Sequence, residues 1–139
     1  MNELSFEYLN KIAEQIVTIS SLLGGFSIAV IANIIISETN TRITKYLLVS
    51  SSLAACFFLV TIFAMTNLLM KTSSGYPLPI DDGDLKLPRL VGIVFFYLGT
   101  ISLISLISLA GWTKSKKMGI FTTVAGLITL VLTLMMMSI

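Results

Sequence analysis

Ser21, Gly25, Ala29, Asn33 and Ser37 recur at every fourth position in a stretch without charge. Four residues is close to one helical turn, so these small or polar side chains form a stripe on one helix. Two kinds of chemistry use such a stripe. Small side chains let another helix approach closely within a membrane. The same stripe can line a pore around a symmetry axis, with Asn33 supplying a ring of amides. Gly24 and Ser20 widen it. Ser21, Gly24 and Gly25 are the candidate helix-packing residues, and Asn33 is the candidate pore-facing one. An amide facing lipid would leave several hydrogen-bonding groups unpaired, so Asn33 must face protein, water or its own symmetry mates. Spacing alone leaves packing and pore lining both open.

The rest of the chain offers little chemistry. Histidine is absent and Cys56 is the single cysteine. That removes disulfides within the chain, Cys/His metal sites and Ser–His or Cys–His catalytic pairs. Cys56, among Ala54, Ala55 and Phe57, reads as a small packing residue. Ser50-Ser51-Ser52, Thr61 and Thr66 can bond back to their own helix. Gly99, Ser102, Ser105 and Ser108, at intervals of three, give a second small-residue face. Asp81-Asp82-Gly83-Asp84 resembles a cation-binding turn but lacks the length and distant glutamate of an EF-hand loop, so it reads as a solvated acidic turn. Phosphate, dinucleotide and flavin motifs are missing, and no carboxylate falls within the apolar runs. The expectation is a protein that is not an enzyme and uses no cofactor or metal. A net charge of +2, scattered along the chain, argues against nucleic acid.

Four apolar runs must position these residues: 15–37, 44–70, 90–112 and 118–138. Each can cross a hydrocarbon core of about 30 Å as a helix. Charged residues make up 12% of the chain, about half the share in a soluble domain. Residues 1–14 form an amphipathic lead-in, with Leu4, Tyr8, Ile12 and Ile16 at helical spacing. It lies on the membrane surface or continues into the first span. Residues 15–139 form the transmembrane domain. The connections Glu38–Ile43 and Thr113–Lys117 are tight, which predicts two antiparallel hairpins. Lys71–Arg89, with Pro77, Pro79 and Pro88, reads as a true loop. The expected fold is an all-α polytopic membrane protein of four transmembrane helices. Such a chain encloses at most a narrow interior, so conduction would need a symmetric homo-oligomer.

An even number of spans puts both termini on one side. Arg42, Lys45, Lys114, Lys116 and Lys117 flank the short loops, while Lys11, Lys71, Lys86 and Arg89 lie opposite. The dense Lys114–Lys117 cluster tips the short loops toward the cytoplasm and the termini toward the outside. The cell membrane is the expected location.

Ser21-Leu22-Leu23-Gly24-Gly25-Phe26-Ser27-Ile28-Ala29-Val30-Ile31-Ala32-Asn33 resembles the first transmembrane helix of Orai calcium channels. That helix carries a Leu-Leu-small-Gly-Phe core followed by alternating small and apolar residues. Four spans, a tight first connection, a longer middle one, and Phe63-Ala64-Met65 followed by polar residues and a proline are also similar. The resemblance implies that first helices surround a central pore. Leu22 and Phe26 would form an apolar constriction, and Ala29 would line the next turn. Asn33 would stand where the family places its selectivity glutamate, so the charge that holds calcium is missing from that ring. Glu3, Glu7 and Glu14 replace the family's basic stretch, and the charge-based orientation is opposite to its cytoplasmic termini. The expected function is a homo-oligomeric pore or ion channel with the first helix lining the axis. The alternative is a non-conducting subunit, a scaffold, sensor or effector acting with a separately encoded soluble partner. The lipid bilayer is a partner in both.

Overall fold

The computed structural model describes residues 5–138; Glu3 and Leu4 of the lead-in lie outside the described residues. The fold is all-α: α1 Phe6–Ile36, α2 Arg42–Thr72, α3 Asp82–Ala110 and α4 Lys116–Ser138, with a single 3-10 turn at Gly111–Thr113. All four long helices have the length and apolarity to cross a bilayer. The chain is an integral, multi-pass membrane protein.

Each helix starts on a side chain that takes up an otherwise free amide. Ser5 accepts from Tyr8 N at 3.2 Å, Thr41 from Thr44 N at 3.2 Å, and Ser115 from Met118 N at 3.2 Å. Glu38 takes a left-handed conformation, φ 52°, in the short turn between α1 and α2. The lead-in and the first span are one continuous helix from Phe6.

The middle connection is shorter than the sequence predicts, because α3 begins at Asp82 and runs through Pro88. Asp81 caps it: Asp82 N donates to Asp81 Oδ1 at 2.9 Å, and Asp84 Oδ2 accepts from Asp81 N at 3.4 Å. The acidic turn is therefore a capping box, favoured by the positive end of the helix dipole. Pro88 has no N–H to give the carbonyl of Asp84 four residues earlier. Lys71 Nζ donates to that carbonyl instead, at 3.3 Å. The proline thus leaves the helix intact and ties its first turns to the end of α2.

The helices pack in chain order. α1 lies on α2, α2 on α3 and α3 on α4, while α1 barely meets α3 and α4 rests on α3 and the 3-10 turn. The array is open, with α1 and α4 at its edges. Phe58 of α2 is fully buried. A Cβ on Gly24 of α1 would sit 3.4 Å from Phe58 Cβ, and one on Gly99 of α3 would sit 2.9 Å from Phe58 Cε1. Gly99 therefore makes the notch that holds this ring, and Gly24 lets α1 come close to its Cβ. Phe58 also meets Phe96 edge-on at 6.2 Å between ring centroids. Toward the long loop, Met65 fills the notch of Gly92. Ala13, Met65, Leu68 and Leu85 join α1, α2 and α3 there. Nearby, Asn10 Nδ2 donates to Thr72 Oγ1 at 3.0 Å and Leu69 O at 3.3 Å. At the other edge, Gly119 lies under the Trp112 ring and Gly126 against Ser108. A third of the most apolar stretch of α2 and of α3 is buried, against 6% in α4.

Candidate functional site

The face of α1 that meets the neighbouring helices carries Leu9, Ala13, Ser20, Gly24 and Ser27. Of the candidate packing residues, only Gly24 belongs to it. Ser21 and Gly25 are exposed. Ser21 Oγ donates to Val17 O at 2.7 Å, and a Cβ on Gly25 would meet nothing within 4 Å. Within the chain these two residues pack against no neighbouring helix.

The reason is angular. Four residues turn a helix by about 40° more than a full circle. A series at every fourth position therefore winds, and between Ser21 and Ser37 it travels about 160°. Ser21 lies on one flank of the buried face, Ala29 opposite it, and Ser37 on the other flank. The signal for the true contact face was a seven-residue spacing: Ala13, Ser20 and Ser27, with Gly24 between. Seven residues return to within about 20° of the same line.

Leu22, Phe26, Ala29 and Asn33 all fall on the outer half of α1, and all are exposed. Leu22 is 71% exposed and Phe26 54%. The chain itself covers none of the four. Asn33 stands in the last turn of α1 and not at mid-span, about 10 Å along the axis from Phe26. It borders a groove of 480 Å³ where the end of α1, the start of α2 and the 3-10 turn converge. Val30, Ile34, Ile43 and Leu47 make the floor, and Ser37, Thr41, Thr44 and Trp112 stand around it.

Most buried hydroxyls are spent within their own helix. Ser27 donates to Leu23 O at 2.9 Å, Ser51 to Leu47 O at 2.8 Å and Thr61 to Phe57 O at 2.9 Å. Ser20 Oγ is buried without a partner. Among the described residues, no group of three or more His, Cys, Asp or Glu side chains is placed to hold a metal ion.

Comparison with protein families, with curated proteins and with solved structures finds no match to this chain. None of the three links the chain to Orai channels or to another family.

Proposed function

We propose that this chain is a subunit of a homo-oligomeric membrane pore or ion channel in which α1 faces the symmetry axis. The observation that carries this reading is the uncovered outer half of α1, with Asn33 and Gly25 on it, at the edge of an open helix array. The Asn33 amide, in the last turn of α1, would pair with symmetry mates or with water at the mouth of such a pore. Leu22 and Phe26 then form apolar rings that close the path by dewetting, and Asn33 forms a neutral ring near its mouth. In this assembly α1–α2 and α3–α4 are two antiparallel hairpins. Both termini face the outside of the cell membrane and the short, basic loops face the cytoplasm.

A second reading has its own support. Ser21 satisfies its hydroxyl internally, and Gly25 offers an open notch. Such a surface also makes a dry helix–helix contact. The chain would then be a non-conducting scaffold, sensor or effector working with a soluble partner.

Ion flux through protein reconstituted in vesicles separates the two. The pore reading expects conduction, a higher cation preference in Asn33→Asp because a ring of charge attracts counter-ions, and a larger leak in Phe26→Ala. Absence of flux in the wild type and both variants, under every voltage and gradient, would leave the partner-dependent subunit.

A further inference from the structure

A groove of 640 Å³ runs along the first turns of α3, lined by Gly83, Lys86, Leu87, Arg89, Leu90 and Ile93. Five helical turns take about 18 residues. Lys86 therefore lies on the same line of α3 as Ile104, and Leu90 on the same line as Ser108. Gly126 of α4 packs against Ile104 and Ser108. The groove thus continues the stripe of α3 that meets α4, but among the described residues none of α4 lines it. Leu90 is 64% exposed there.

The sequence sets the depth of this groove in the membrane. Arg89 is the last charge before the uncharged stretch 90–112. At about 1.5 Å per residue that stretch rises about 34 Å, close to the ~30 Å hydrocarbon core. Lys86 and Arg89 then stand at headgroup level, while Leu90 and Ile93 enter the hydrocarbon. Both cations are exposed, and among the described residues neither has a carboxylate within ion-pair distance. Asp82, one turn before Lys86, does not line the groove, and the Asp81 and Asp84 carboxylates are held in the cap of α3. Two cations without partners over an apolar floor, at this depth, complement a ligand with a negative head and a hydrocarbon tail.

We infer that this groove holds one anionic phospholipid, independently of whether the protein conducts. Lys86 and Arg89 are three residues apart, so they are neighbours on the helix surface and share one phosphate. The Arg89 guanidinium offers that phosphate paired donors, and the Lys86 ammonium adds a point charge. An acyl chain lies along Leu90 and Ile93. A phosphatidylcholine fits poorly, since its own quaternary ammonium cancels the charge of its phosphate and is repelled by the two cations.

Native mass spectrometry tests this in detergent micelles that contain phosphatidylglycerol and phosphatidylcholine with the same chains at equal concentration. The expected result is one phosphatidylglycerol retained per protomer in preference to phosphatidylcholine. Lys86→Gln and Arg89→Gln should each lower that preference about fivefold. Lys116→Gln removes an exposed cation at the opposite end of the spans and should leave the preference unchanged. All three side chains are exposed, so the fold tolerates each change. Soluble glycerol phosphate should not displace the lipid. Equal retention of the two lipids would overturn the site. An equal loss in Lys116→Gln would reduce the effect to general surface attraction and overturn it as well. Displacement by glycerol phosphate would overturn the assignment to a lipid. If Lys86→Gln and Arg89→Gln change the number of subunits while no phosphatidylglycerol is retained, the face meets a second copy of the chain and the inference fails.

Discussion

At the scale of single residues, two neighbours on α1 with the same small size have opposite surroundings. Gly24 faces the Phe58 side chain, while Gly25 faces open space. A leucine at either position reads almost the same in sequence, but only one meets a neighbour in this chain. Gly99 is tighter still, since its Cβ would lie 2.9 Å from the Phe58 ring. Gly99→Leu should destabilise the fold by about 1–3 kcal/mol or more through overpacking, measured by denaturant titration in bicelles. Ser20 behaves differently. Its buried hydroxyl has no partner, so it carries a desolvation cost without a hydrogen bond in return. Ser20→Ala should therefore be neutral or stabilising by up to about 1 kcal/mol in the same titration. A clear loss of stability would mean that the hydroxyl is satisfied, by Ile16 O or by water.

At the scale of elements, the four spans were legible in the sequence because each is an uncharged run long enough to cross a bilayer. The start of α3 was not. Pro88 and the aspartates read as loop, yet Asp81 caps the helix and Lys71 takes the carbonyl that Pro88 frees. A rescue from a different helix, far along the chain, leaves no local trace. Asp81→Ala should cost about 1 kcal/mol and speed amide exchange in the first turn of α3. Exchange beyond Pro88 should stay unchanged, and faster exchange through the whole helix would contradict the cap. The small-residue series mislead for a related reason. Steps of four wind forward by about 40°, and steps of three wind back by about 60°. Gly99 and Ser108, nine residues apart, accordingly point to opposite sides of α3, one toward Phe58 of α2 and the other toward Gly126 of α4. That reversal allows one helix to sit between two neighbours. On α1 the same winding carries the four-residue series off the packing face, so a spacing of four could not name that face.

At the scale of the whole molecule, an open array has two edges that need cover. α4 presents Ile120, Phe121, Val124, Leu127 and Ile128, all exposed and apolar, which lipid tails solvate well. α1 presents Gly25, Ala29 and Asn33 beside exposed Leu22 and Phe26, a surface with an amide and an open backbone notch. The proposed assembly through α1 rests on that difference, and Gly25 tests it without disturbing the fold. Because a side chain there meets nothing of its own chain, Gly25→Leu should leave the melting behaviour of the isolated protomer unchanged. In an α1-centred oligomer it should block close backbone approach and shift the protein to smaller species, read by mass photometry in nanodiscs. Gly99→Leu should do the reverse, weakening the protomer through Phe58 while leaving the α1 surface untouched. If Gly25→Leu keeps the wild-type oligomer, α1 does not make the subunit contact. The pore reading would then lose the geometry on which it depends.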